Sequence, residues 1–89
     1  MKRKLIQIKE ILVNYIHIVE YDIDSIEYLI DTIDYLLQDK IPCTYSIINV
    51  IMEDVMIAST YHKSKELLDV VSILKDICDS LIEQEQIQI

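Results

Sequence analysis

An apolar side chain recurs every three or four residues from Leu5 to Leu37, and this spacing constrains the fold more than any other feature. The steps average about 3.6 residues, which is the period of an α-helix. We call these side chains the apolar seam: Leu5, Ile8, Leu12, Ile16, Val19, Ile23, Ile26, Ile30, Ile33 and Leu37. Neither proline nor glycine interrupts the seam, so we predict one long helix over residues 4–39. The alternative is a helical hairpin split near residues 21–24, where Asp24 and Glu27 have the spacing of a capping box.

Two further helices follow this segment. Pro42 marks the clearest break in the chain, because proline disfavours helix at the residue before it. Thr44 is a suitable N-cap for a second helix over residues 44–61, and Ser64 for a third over residues 65–84. The apolar positions of the second helix include Ile48, Val55 and Ile57, and those of the third are Leu67, Val70, Leu74, Ile77 and Leu81. The sequence therefore predicts an all-α fold, a small helical bundle in a single domain over residues 1–89.

The chain contains no glycine, and this excludes several kinds of functional site. Phosphate-binding loops, dinucleotide-binding turns and nucleophile elbows need glycine where the backbone takes a positive φ or approaches a ligand. Neither His17 nor His62 has a serine, cysteine or aspartate at motif spacing, and the Glu-x-x-His pairs of bundle metal sites are missing. We therefore expect a protein that is not an enzyme, with no catalytic residue, no cofactor and no metal.

Hydrophobic residues make up 52% of the chain, which raises the question of a membrane. The longest run without a charge, residues 41–52, is shorter and more polar than a span of about 20 apolar residues. The basic start of the chain resembles a signal peptide, but Gln7, Lys9 and Glu10 interrupt the apolar stretch that should follow. We expect an unprocessed cytoplasmic protein that does not bind a membrane. In that compartment Cys43 and Cys78 are expected to be small core residues, with a disulfide as the less favoured alternative.

Leucine, isoleucine, valine and methionine together number 37, more than one small bundle can bury. Such a bundle offers roughly 20 to 25 buried positions if each helix supplies three per heptad. An exposed apolar patch of this kind is typical of an interface, so we predict a homodimer. Its interface would include Ile6, Ile11, Val13 and Ile18. In an antiparallel pair of first helices, basic residues 2–4 of one chain would lie near Asp34 and Asp39 of the other. The alternative is that an AT-rich genome scatters isoleucine over the surface.

Residues 20–39 carry seven acidic residues and no basic one. Like charges three or four positions apart on a helix repel each other by about 0.2–0.5 kcal/mol per pair. Tyrosine recurs at every seventh position among these acids, and tyrosine beside carboxylate is a contact chemistry suited to a basic protein. The predicted docking residues are Tyr21, Asp24, Glu27, Tyr28, Asp31, Asp34 and Tyr35. The alternative makes the tyrosines boundary residues of the core and the acids an ordinary solvated face.

The net charge of −8 disfavours direct binding of nucleic acid, because the protein repels phosphate. Frequent isoleucine, aspartate and tyrosine beside a single alanine suggest an AT-rich genome, and the small size fits a viral or accessory protein in the host cytoplasm. We expect a small acidic interaction module, an inhibitor or adaptor encoded by a virus or mobile element, that oligomerises and engages a basic partner protein. The alternatives are a purely structural oligomer and a DNA mimic that inhibits a nucleic-acid-binding protein.

Overall fold

A computed structural model describes residues 2–87 of the chain, with side chains over residues 2–84. Within this range the chain forms four helices and no strand: α1 (Lys2–Ile16), α2 (Ile23–Leu37), α3 (Tyr45–His62) and α4 (Lys65–Ile87). The prediction of an all-α bundle is therefore confirmed. No helix of the described range is long and apolar enough to cross a membrane.

The chain has the helical hairpin in place of the single long helix predicted over residues 4–39. The amides of Ile18 and Val19 both donate to the Tyr15 carbonyl, each at 3.0 Å, in a tight turn that ends α1. Asp22 then takes a left-handed conformation with φ 58°, which aspartate tolerates better than most residues. A straight helix over residues 4–39 would be about 54 Å long, whereas the longest extent of the molecule is 46 Å. Folding back lets both halves of the seam pack on one core.

The N-cap of α2 also differs from the predicted capping box of Asp24 and Glu27. Asp22 is the N-cap residue. The Ser25 hydroxyl, three positions later, donates to the Asp22 carboxylate at 2.7 Å. The Asp22 side chain itself makes no cap hydrogen bond to the helix backbone, so α2 begins two residues before the predicted box and without side-chain capping by its N-cap residue.

Two ion pairs align the antiparallel hairpin of α1 and α2. Lys9 Nζ lies 2.6 Å from Asp34 Oδ1, and Lys2 Nζ lies 3.5 Å from Asp39 Oδ2. The sequence predicted contacts between the basic start of one chain and these two aspartates of another. The structure makes one such contact, Lys2 with Asp39, within one chain, and it pairs Asp34 with Lys9, which was not among the predicted basic residues. Part of the repulsion in the acidic segment is therefore offset without a second copy.

All four helices contribute to one core, which the helical spacing predicts in large part. Five seam residues are buried: Leu5, Ile8, Leu12, Ile26 and Ile33. Ile23 is exposed, whereas Tyr15, Leu29 and Leu36 lie in the core outside the seam. The hairpin turn resets the phase between α1 and α2, and this explains why the seam is only partly buried.

The predicted row on α4 is buried along its whole length: Leu67, Val70, Leu74, Ile77 and Leu81. Cys78 is buried beside this row, and Cys43 is partly buried against the same core. Burial raises the pKa of both thiols above the ordinary cysteine value, because a low-polarity environment disfavours the thiolate. The two cysteines therefore lie where small core residues were expected.

Both predicted N-caps are confirmed. Thr44 Oγ1 accepts a hydrogen bond from the Ile47 amide at 3.3 Å, and Ser64 Oγ accepts one from the Leu67 amide at 3.3 Å. Each hydroxyl satisfies an amide that has no acceptor within its own helix.

Aspartate and lysine take the place of glycine at two helix ends. At the end of α2 the Lys40 amide donates to the Tyr35 carbonyl at 2.9 Å and the Asp39 amide to the Leu36 carbonyl at 3.2 Å, which is a Schellman motif. Asp39 has φ 57° there, and Lys63 has φ 52° at the end of α3. Glycine is the usual residue at positions with such positive φ angles, because it has no side chain to oppose them.

The helices run alternately up and down around the core. Helix α1 packs between α2 and α4, and α3 packs on α4. Helices α2 and α3 touch each other least of the neighbouring pairs. The bundle is therefore open along the side between α2 and α3.

Candidate functional site

The open side of the bundle forms a groove, which we call the α2–α3 groove. It contains two adjoining cavities, one of about 660 Å³ and one of about 290 Å³. Both are lined by Tyr28 and Leu29 of α2 and by Asp54 of α3. The shared residues make the two cavities one continuous depression along the bundle.

The groove has an apolar lining. Leu29 and Ala58 belong to the core and form part of the floor. Ile57 of α3 is 70% exposed, and Tyr28 and Tyr61 are each 63% exposed. Of the apolar positions noted in the second predicted helix, Ile48 and Val55 are buried whereas Ile57 is exposed, because α3 carries apolar residues on its groove side as well as on its core side. Large apolar side chains exposed along a concave surface are typical of interaction sites.

Three carboxylates lie at the larger cavity. Asp22 and Asp24 come from the start of α2, and Asp54 comes from the middle of α3. Among the described residues that line the two cavities there is no lysine or arginine. Among all the described residues, no group of three or more histidine, cysteine or acidic side chains is placed to hold a metal ion. The groove thus combines apolar surface with negative charge, and its concave shape focuses that potential.

Four of the seven predicted docking residues remain available on the outer side of α2. Asp24 and Tyr28 line the groove. Glu27 and Asp31 are exposed but do not line either cavity. The predicted acidic stripe therefore borders the groove and does not form its floor.

The other three predicted docking residues are engaged within the chain. Asp34 points toward α1, where it pairs with Lys9. The Tyr35 ring lies beneath Lys40, whose Nζ is 5.7 Å from the ring centroid. Tyr21 packs against the end of α3. The heptad spacing of the tyrosines therefore does not produce one common surface.

Sequence reasoning missed the α3 half of the groove: Val50, Asp54, Ile57 and Tyr61. A signal for it existed, because apolar residues occur on more than one side of the second predicted helix. A helix that is apolar on two sides needs two packing neighbours, and α3 has only α4 as a close one.

A buried histidine lies behind the acidic end of the groove, in contact with Asp22. The His62 side chain has 0% exposure, and its Nε2 lies 3.0 Å from Asp22 Oδ2. The Tyr21 ring stacks on the imidazole at 4.8 Å, and Tyr15 and Tyr61 meet it edge-on at 5.8 Å and 5.5 Å. We call these five residues the His62 cluster. It joins the turn between α1 and α2 to the end of α3, and so holds the two halves of the bundle together.

The hydrogen bonds around Asp22 favour the ionised form of its carboxyl group. The bond from Ser25, together with the contact to His62, holds the pKa of the Asp22 carboxyl below its ordinary value. An ionised carboxylate can only accept, so His62 Nε2 donates to Asp22, and Nδ1 takes no part in this contact. Within the described residues, this buried Nδ1 has no hydrogen-bond partner.

Ser25, Asp22 and His62 lie in an order that differs from that of a hydrolytic triad. Ser25 donates to the carboxylate of Asp22, and the imidazole of His62 lies on the other side of that carboxylate. A hydrolytic triad has the imidazole between the serine and the acid. This arrangement therefore does not activate the serine, and it acts as a structural tie between helices.

The predicted dimer residues lie on α1 and in the turn after it. Ile6 and Ile18 are exposed, whereas Ile11 and Val13 are partly buried. Ile11 packs against the core, so it has less area to offer a second chain. Ile6 and Val13 line a surface depression of about 540 Å³. The apolar surface of α1 is thus smaller than the sequence predicted.

Comparisons with protein-family models, with curated proteins and with solved structures find no match for this chain. Its function is therefore inferred from the chemistry of its own surfaces.

Proposed function

We propose that the protein is a small acidic interaction module, an inhibitor or adaptor that engages a basic partner protein through the groove side of α2. The observation that carries this proposal is the α2–α3 groove, with apolar lining and the carboxylates of Asp22, Asp24 and Asp54. Apolar area in such a surface supplies affinity, while charge steers and selects the partner. The net charge of −8 extends the same potential over the molecule.

Exposed apolar residues on α1 and in the turn after it support self-association as a second part of the proposal. Ile6 and Ile18 are exposed, and neither lines the α2–α3 groove. A homodimer formed through them would leave the groove accessible to the partner. The cytoplasmic location and the viral or mobile-element origin expected from the sequence also belong to the proposal.

Charge reversal tests the partner interaction. The double variant Asp24→Lys with Asp31→Lys changes exposed positions and spares the ion pair of Asp34, so the fold should persist. Asp69→Lys with Asp76→Lys is the matched control, because both residues are exposed on α4 and the net charge is the same. In affinity capture from native lysate, the partner should elute at high salt from the wild type and control and be absent from the α2 variant. Equal recovery with both variants contradicts the proposal.

Light scattering tests self-association at micromolar concentration. The wild type should give about twice the chain mass, and Ile18→Ser should give the monomer mass. Leu68→Ser is the control, because Leu68 is also a large exposed apolar residue and lies on α4. A monomeric wild type would exclude the dimer without bearing on the basic partner.

A further inference from the structure

The α2–α3 groove has the form of a missing helix position in a bundle. We propose that the basic partner inserts one amphipathic α-helix lengthwise into this groove, with its basic residues concentrated at the end beside Asp22 and Asp24. This inference rests on the proposed function. The inference concerns the shape and charge pattern of the ligand, and these follow from the dimensions and lining of the groove.

The length of the groove matches a short helix. Its lining extends along α2 from Asp22 to Thr32 and along α3 from Ser46 to Tyr61. At 1.5 Å per residue these segments are about 15 Å and about 22 Å long. A ligand of three to four helical turns would therefore contact both walls along their whole length, as in helix-in-groove recognition.

The backbone of the groove walls favours a helical ligand over an extended one. An extended peptide gains most of its affinity by pairing its backbone with the edge of a sheet. The walls here are α-helices, whose backbone groups are already hydrogen-bonded to each other. A helix satisfies its own backbone and needs only side-chain contacts, which are what this groove supplies.

The two cavities differ in charge, and this difference fixes the pattern of the ligand. The larger cavity has Asp22, Asp24 and Asp54 in its lining. Beyond Asp54 the smaller cavity is lined by uncharged residues, among them Val50 and Thr32. The ligand should therefore carry lysine or arginine near one end and apolar residues three or four positions apart along the face that contacts Ile57.

A second copy of this chain fits the groove poorly. Two grooves facing each other would place carboxylates against carboxylates, which opposes association. Two of the chain's eight basic residues, Lys2 and Lys9, are paired with Asp39 and Asp34, and the net charge of −8 makes a second copy repel the acidic groove as a whole. Charge complementarity therefore favours a basic ligand from another protein.

Fluorescence anisotropy with synthetic peptides of about 14 residues, roughly four helical turns, tests the inference. The first peptide has leucines three and four positions apart on one face and lysines near one end. The second has the same composition in an order without an apolar face, and the third has glutamate in place of lysine. The wild-type protein should bind the first peptide at least about tenfold more tightly than the second, and should not bind the third. Circular dichroism should show the first peptide gaining helix on binding.

Matched variants locate the binding site. Ile57→Ser should weaken binding of the first peptide about tenfold, because a large exposed apolar contact of the groove is lost. Leu68→Ser, at a residue that is 57% exposed on α4, should leave the affinity unchanged. Asp24→Asn with Asp54→Asn should weaken binding about tenfold at low salt and little at high salt, because salt screens exposed charges. Asp69→Asn with Asp76→Asn provides the control of equal charge.

The outcomes separate this inference from the proposed function. The helical ligand is overturned if the first two peptides bind equally, Ile57→Ser has no effect, and Asp24→Asn with Asp54→Asn weakens binding. That result leaves the basic partner in place. Equal effects of the groove and α4 charge variants overturn both. The absence of binding by the first peptide also overturns the helical ligand, and lysate capture then decides on the partner.

Discussion

Replacing His62 with alanine should lower the free energy of unfolding by about 3 kcal/mol. This residue is the most informative one to change, because its buried ring joins the turn between α1 and α2 to the end of α3. The substitution removes the imidazole from the three tyrosine rings and breaks the hydrogen bond to Asp22, which is 3.0 Å long.

The magnitude combines three contributions. Truncating a fully buried phenylalanine or tryptophan to alanine costs about 3–5 kcal/mol, and the smaller imidazole belongs at the lower end. The lost hydrogen bond adds about 1 kcal/mol, since the Asp22 side chain is 30% exposed and can be rehydrated. Removing the buried Nδ1 that lacks a hydrogen-bond partner offsets about 1 kcal/mol. In a domain of this size, each kcal/mol of lost unfolding free energy should lower the Tm by about 4–8 °C.

Urea unfolding followed by far-UV circular dichroism measures the effect. His62→Phe keeps a buried ring and removes both ring nitrogens, so its stability should lie within about 1 kcal/mol of the wild type. His17→Ala is the control, because His17 is exposed and should change stability by less than about 0.5 kcal/mol. A His62→Ala protein that loses less than about 1 kcal/mol would show that the His62 cluster does not hold the bundle together.

Three smaller effects test the helix ends and Asp22. Lys63→Gly should stabilise the fold by about 1 kcal/mol, because φ is 52° there, whereas Lys75→Gly inside α4 should cost about 1 kcal/mol; thermal unfolding measures both. Ser64→Ala should cost about 1 kcal/mol in urea unfolding through loss of the cap of α4. The pKa of Asp22 is lowered in the fold, so its stabilisation is complete above the pKa of the unfolded chain and is lost as the pH falls through the lowered folded value. The stability advantage of the wild type over Asp22→Asn should therefore shrink as the pH falls below the ordinary aspartate pKa of 3.8, and a constant difference would refute this.

The sequence predicted those parts of the fold that depend on neighbours along the chain. The buried row on α4 and the caps at Thr44 and Ser64 follow from helical spacing and from the needs of a helix start. The break between α1 and α2 depends instead on the contact of Asp22 with His62, forty residues away. Apolar spacing shows which face of a helix is buried, but it does not show where a helix folds back on itself.

The candidate site was also only partly predictable from the sequence. Asp24 and Tyr28 belong to a local acidic stripe that the sequence displays directly. Asp54 and Ile57 belong to the site only because α2 and α3 stay apart, and no local pattern encodes that distance. An isolated α3 sequence allows Ile57 to face either a core or a groove, and tertiary packing decides between them.

The groove is held open at both of its ends by the fold itself. At one end the His62 cluster fixes the start of α2 to the end of α3 through Asp22 and Tyr21. At the other end the connection over residues 38–44 fixes the distance between the two helices through the Schellman turn at Asp39 and the cap at Thr44. A groove fixed at both ends requires no separation of two packed helices before the proposed ligand helix enters, and such preorganisation lowers the free-energy cost of association. In the proposed complex one side of α3 packs against a helix of the partner, and this contact would account for part of the surplus of apolar residues.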